Sequence, residues 1–308
     1  MVREQSEEGQ PTRAALLERL QSARAGLGSR AASAGRQAAR RVGETEPGRR
    51  LQKYATDWTE ELDARIDVSG DQPAPDGPIP EDGDLVLCVH GFLGEGRLDA
   101  VSVSGAHQAA AFQVALDEEF AAAEVESPPV VAVMWGSSTV WTRAKQRTRA
   151  AGATLAAWLE ANRDRYDSVT IVGHSLGARV TLWALQALDS VTVDSVALLG
   201  AAVSPDSVCT QYCRAIETRV EGPVYNYYSE NDAAVCYLYR LTELSPGLGC
   251  RGSDCGGGML DSSRLPENYV DVDVTESVHN HRDYYRPSAE AFDGESCVDT
   301  LVANRLQK

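Results

Sequence analysis

The chain has 308 residues and a mass of 33.2 kDa, enough for one large α/β domain or two small ones, and its 43% apolar and 24% charged residues exclude wholesale disorder. Acidic residues outnumber Lys and Arg by 45 to 29, a net charge of −16, which excludes the basic surplus that a nucleic-acid binder needs. No run reaches the roughly 18 apolar residues of a membrane span, and the start of the chain lacks the apolar core of an export signal, so a cytoplasmic, reducing location is expected.

The charge is uneven. Residues 1–53 carry 11 basic and 6 acidic side chains, whereas residues 54–308 carry 18 and 39. Lysine occurs only at Lys53, Lys145 and Lys308. Few lysines and many carboxylates resemble the composition of proteins from extreme halophiles, where carboxylates hold water on the surface and molar salt screens their repulsion.

Residues 1–70 read as a basic, Ala- and Arg-rich helical extension. Pro11 and Thr12 open one helical stretch. Leu51, Tyr54, Trp58, Leu62 and Ile66, spaced by three and four, give a second one a single apolar face. Such an arm either packs on the core or lies on anionic lipid, and screening in salt favours the packed extension over peripheral membrane contact. Residues 71–84, with four prolines and five acids, read as a linker.

From residue 85 to 308 the pattern is that of one α/β domain. Apolar runs at 85–89, 130–134, 168–172, 195–199 and 224–228 predict buried strands, and the alternating 269–274 predicts a strand nearer an edge. Helical stretches at about 106–119, 144–163 and 177–188 lie between them. This alternation implies a mostly parallel central sheet with helices on both faces.

Gly173-His174-Ser175-Leu176-Gly177 is a G-x-S-x-G sequence, and it sits between a predicted strand and a predicted helix. The glycines leave room for a sharp elbow that lifts the serine hydroxyl above the sheet, and the following helix directs its dipole at developing negative charge. With this context the chain resembles the α/β-hydrolase superfamily, and within it the lipases and esterases. His90-Gly91-Phe92 after the first apolar run is similar to the lipase loop that supplies an oxyanion-hole N–H. The resemblance implies backbone donors at Phe92 and Leu176, with His90, Gly91, Gly173, His174 and Gly177 supporting the loop and elbow.

The fold's chain order is Ser, then acid, then His. Asp232, in Ser229-Glu230-Asn231-Asp232, stands where similar hydrolases place the triad acid, with Glu230 as the alternative. The base is His281 or His279. The segment Asp273-Val274-Thr275-Glu276-Ser277-Val278 followed by His281 and Tyr284 resembles the ending of hydrolases related to transmembrane and coiled-coil domain proteins, and that resemblance points to His281. The eukaryotic relatives carry membrane spans. Trp135 reads as core or pocket lining, and His107 reads as structural.

Of seven cysteines, Cys88 reads as a buried small hydrophobe. Cys209, Cys213, Cys250 and Cys255 lack the C-x2-C spacing of a zinc site, so no metal is expected. A disulfide from Cys250 to Cys255, or from either to Cys209 or Cys213, competes with free thiols, and a reducing location favours free thiols. The Gly- and Cys-rich insert at about 237–268 reads as a lid or as a surface excursion.

The sequence therefore predicts a serine hydrolase of small-molecule or lipid esters, with Ser175, Asp232 and His281 as a triad and no cofactor. Acyl transfer, thioester or amide hydrolysis by the same triad is the alternative. A non-catalytic interaction module using the basic arm is the alternative of another class.

Overall fold

A computed structural model describes residues 61–92, 104–122, 124–256, 264–285 and 296–306. The predicted N-terminal helices up to residue 60 lie outside the described residues.

Eight strands form one sheet: β1 (Arg65–Asp67), β2 (Ala74–Asp76), β3 (Asp84–Val89), β4 (Val130–Met134), β5 (Ser168–His174), β6 (Ser195–Leu199), β7 (Val224–Tyr228) and β8 (Tyr269–Asp273). Their order is β2-β1-β4-β3-β5-β6-β7-β8. Only the β1–β2 pairing is antiparallel. The helices are α1 (Gly105–Ala122), α2 (Trp141–Asn162), α3 (Leu176–Ala187), α4 (Cys213–Arg219), α5 (Tyr239–Glu243), α6 (Leu248–Arg251) and α7 (Cys297–Leu306). A π-helical turn, Ala234–Leu238, leads into α5.

The period of two along the central strands divides the core. Leu85, Leu87 and Val89 of β3 face the layer built by α2 and α3, while Val86 and Cys88 face α1 and α7. On α2, Ala144, Thr148, Ala151, Leu155 and Leu159 recur at helical spacing and form its buried face. β8 is exposed along much of its length, as an edge strand with alternating polar residues should be.

The sheet begins earlier than the sequence implies. Arg65–Asp67, expected as the end of a helix, pairs in parallel with β4, and Ala74–Asp76, expected within a linker, closes that edge as β2. Ile66 is fully buried against the core. The physical reason is the open edge of β4, whose backbone groups need partners and override a weak local helical pattern.

From β4 to β8 the parallel order β4-β3-β5-β6-β7-β8 is that of the α/β-hydrolase core, whereas the first edge departs from it, with β1 parallel to β4 and β2 outermost and antiparallel. The loops after β3 and β5 leave toward opposite faces, α1 on one and α3 on the other. A crevice must open between them at the carboxyl ends of the strands.

Candidate active site

Ser175 occupies that crevice. It follows β5 directly and precedes α3. Its backbone lies at φ 54° and ψ −119°, a region that costs a non-glycine residue about 1–3 kcal/mol. Three backbone hydrogen bonds hold it there. Its N–H donates to the Leu199 carbonyl at 2.9 Å, and its own carbonyl accepts from Ala178 at 3.2 Å and Ala202 at 3.0 Å.

The elbow's glycines are required by close approach. A Cβ on Gly177 would lie 2.2 Å from the Val89 carbonyl oxygen, and one on Gly173 would lie 2.9 Å from Ala178 Cα. The tight turn thus packs the start of α3 against the end of β3. Gly91 meets the serine from the other side of the crevice, where a Cβ would be 2.9 Å from Ser175 Cβ. Phe92 and Leu176, the predicted N–H donors, flank this junction, Leu176 as the first residue of α3.

The predicted base and acid meet. His281 Nδ1–H donates to Asp232 Oδ2 at 2.7 Å. Asp232 is fully buried, and its other oxygen accepts from the N–H groups of Ala234 at 3.0 Å and Val235 at 3.4 Å. Glu230 instead points to the surface and pairs with exposed Arg251 at 3.4 Å. His279 is exposed and offers only its backbone N–H to this region, to Asp283.

Two further histidines serve as struts. His174 Nε2–H donates to the His281 carbonyl at 2.9 Å, and the two rings lie 4.6 Å apart between centroids. Burial, then the neighbouring His281, hold the His174 pKa well below its usual value, so it stays neutral. His90 Nδ1–H donates to the Gly91 carbonyl at 2.8 Å, and its Nε2 accepts from Trp135 N–H at 3.2 Å. Burial lowers the His90 pKa to about 4. Trp135 returns a bond from its indole to the His90 carbonyl at 2.8 Å, so it is a core brace for the loop.

Ser175, His174 and His281 line one cavity of about 420 Å³. Its remaining wall is mostly apolar: Phe92, Trp141, Leu238, Tyr239 and Tyr285 stand in it. Trp141 packs edge-on against both Phe92 and Tyr239. His107, expected as structural, also lines the cavity while bonded to Ser104 Oγ at 3.0 Å. The cavity is lined from seven separate segments, so only folding assembles it. Asp283 was likewise invisible to motif reading. It is buried, accepts from the N–H groups of His279 and Asn280, and so fixes the loop that presents His281.

The expectation of free thiols is overturned at two pairs. Cys209 bonds to Cys255, and Cys236 bonds to Cys250, with Cα separations of 5.5 and 5.0 Å. Cys88, Cys213 and Cys297 are free, and Cys88 is the buried strand residue that its position predicts. The first bridge is among the cross-pairings the sequence allows, but the second uses Cys236, which no local spacing marks. Three of the four cysteines weighed as a thiolate site are therefore in bridges, and no metal-binding cluster occurs among the described residues.

The fold is of α/β-hydrolase type. The chain belongs to the family described as "Protein of unknown function (DUF726)", which matches residues 116–293. It is 35% identical over 150 residues to the transmembrane and coiled-coil domain-containing protein STS1 of Oryza sativa subsp. japonica, a stretch covering 47% of this chain and 21% of that protein. It is 33% identical over 150 residues to the uncharacterized membrane protein C6F6.13c of Schizosaccharomyces pombe, covering 47% and 18%. The chain thus matches about a fifth of the length of these curated relatives. Among solved structures it is similar to esterase B from Lactobacillus rhamnosis, at 14% identity and a TM-score of 0.40, over 96% of this chain and 95% of that one. A metagenome-derived lipolytic enzyme, described with LipS and LipT, gives 14% identity and a TM-score of 0.36, over 81% and 100%.

The relationship to transmembrane and coiled-coil domain proteins, expected from the C-terminal motif, is met by the first relative. The cytoplasmic expectation is overturned, because both curated relatives are named as transmembrane or membrane proteins. Among the described residues, no helix is long and apolar enough to cross a membrane.

Proposed function

We propose that this protein is a serine-dependent hydrolase of carboxylic esters. One observation carries the reading: His281 is tied through its ring to buried Asp232 and through its carbonyl to His174, the residue next to Ser175, at the floor of an apolar cavity.

In this reading Ser175 Oγ attacks the ester carbonyl. With Nδ1 engaged by Asp232, Nε2 of His281 is the nitrogen left to take the serine proton and later return it to the leaving alcohol. Asp232 fixes the tautomer and stabilises the imidazolium. The N–H groups of Phe92 and Leu176 hold the oxyanion, and α3, beginning beside the serine, adds its positive end. A water activated by His281 then releases the acyl group. The apolar wall suits the acyl chain of a lipid or small aliphatic ester. Those walls, and relatives named as membrane proteins, favour lipid esters over polar ones.

The test is turnover of a p-nitrophenyl ester series from acetyl to palmitoyl, with wild type beside Ser175→Ala. Dilute and molar KCl are both used, because the acid-rich, lysine-poor composition supports activity in concentrated salt. Turnover abolished by the substitution supports the reading. Equal inactivity of folded wild type and variant on every ester overturns it.

A further inference from the structure

We propose that the segment from the π-helical turn through α5, together with the start of α2, docks this protein onto an anionic lipid surface with the mouth of the cavity facing the lipid. Tyr237, Leu238, Leu241 and Leu244 are 67%, 64%, 79% and 90% exposed, and Val140, just before α2, is 69% exposed. Isolated exposed apolar residues are unremarkable, but four of these five fall within residues 237–244, and Trp141, the chain neighbour of the fifth, packs on that stretch. Trp141, beside Val140, packs against Tyr239 at 6.1 Å and donates its indole N–H to Glu243 of α5 at 3.1 Å. The crest therefore spans both elements and borders the cavity that Leu238 lines.

The helix that Trp141 opens, α2, is basic, and its Lys145 reaches the crest. Residues 127–159 contain no acid and four bases, Arg143, Lys145, Arg147 and Arg149, in a chain that carries 45 acids. Arg143, Arg147 and Arg149 are exposed along α2, and Arg240 is exposed on α5. Lys145 neutralises Glu243, an acid of the crest, through contacts of 2.5 and 2.7 Å. An apolar ridge joined to a basic helix fits the boundary of an anionic membrane, where side chains enter the acyl region and guanidinium groups meet the headgroups. A protein seated on the crest would instead cap the cavity. A lipid surface is the occupant that covers the exposed leucines and also supplies an ester to the pocket.

The ridge is also fastened to the site. Cys236, inside the π-helical turn, bonds to Cys250, and the turn's first N–H groups hold Asp232. Docking would thus be made by a tethered face.

The proposal rests on the lipid-ester reading, so its test reads binding apart from turnover. The full chain is co-sedimented with vesicles of phosphatidylcholine, with and without phosphatidylglycerol, in dilute and molar KCl. Wild type is expected to bind the mixed vesicles. Leu241→Glu and Leu244→Glu, which do not line the cavity, should each lower the partition coefficient about tenfold or more at both salts. Arg143→Glu with Arg240→Glu should lower it at least about fivefold in dilute salt only. Hydrolysis of p-nitrophenyl acetate should be unchanged in all of these variants. Equal partition of wild type and the leucine variants overturns the proposal, as does no binding by wild type. A wild-type dimer that becomes monomeric in Leu241→Glu and Leu244→Glu overturns it too, because a second copy would then own the crest. Loss of acetate hydrolysis by Ser175→Ala alone, with docking intact, speaks only to the chemistry.

Discussion

Asp232→Asn isolates the proposed role of the acid with little disturbance of the fold. The amide keeps one oxygen, which can still accept from Ala234 and Val235, now bonded at 3.0 and 3.4 Å. What changes is the 2.7 Å contact with His281. An NH2 group there faces Nδ1 and can only donate, so the imidazole must carry its proton on Nε2, where it cannot take one from Ser175. A wrong tautomer of this kind lowers kcat about 10³–10⁴-fold, or roughly 4–5.5 kcal/mol on the barrier. Stability should fall less, by about 2 kcal/mol for one charged hydrogen bond, or roughly 4–8 °C in Tm for a domain of this size. The assay is single-ester turnover beside a thermal melt, with Glu230→Gln as the control. Glu230 holds only an exposed pair with Arg251, so its removal should leave kcat within about twofold and stability within about 1 kcal/mol. A folded Asp232→Asn enzyme with near wild-type kcat would refute the reasoning, as would a large loss from Glu230→Gln.

Gly177→Ala should be among the most damaging single-methyl changes in the chain, since its Cβ would meet the Val89 and His90 carbonyl oxygens at 2.2 and 2.5 Å. A loss of about 3 kcal/mol or more is expected, read as a Tm lowered by roughly 6–12 °C or as failure to accumulate soluble protein. His90 gives a pH dependence. Its folded pKa of about 4 lies below its ordinary value, so the unfolded chain binds the proton more readily and stability is lost as pH falls from about 6.5 toward 4. Urea midpoints across that window should fall by an amount worth about 3 kcal/mol, and His90→Gln should flatten the slope; an unchanged slope would remove His90 as its cause. Reduction should destabilise markedly, because the bridges span separations of 46 and 14 residues and loop closure of that size is worth about 4 and 3 kcal/mol. Peptide mapping without reductant should recover Cys209 linked to Cys255 and Cys236 linked to Cys250, and recovery of a Cys250–Cys255 link would contradict the fold around α6.

The sequence by itself determined the local mechanics of this protein. Five of the eight strands follow from short apolar runs and a sixth from period-two alternation, with the three long helices in the stretches between them, and such signals are carried within a few residues. The elbow was legible for the same reason: Gly173 and Gly177 bracket a serine between a strand and a helix, and the close approach that excludes a Cβ is built within five residues. Chain order also limited the acid to Asp232 or Glu230 and the base to His281 or His279. Tertiary structure brought Asp232 and His281 together and left Glu230 and His279 at the surface, because burial and a 2.7 Å approach depend on how β7 and the loop after β8 are set side by side. It decided the cavity wall as well, drawn from segments far apart in the chain, and the partner of each cysteine, since Cα atoms 5.0 and 5.5 Å apart can be 14 or 46 residues distant. The short strands β1 and β2 belong with these. Three residues carry too little periodicity to announce a strand, and only the open edge of β4, with backbone groups to satisfy, makes Arg65–Asp67 one.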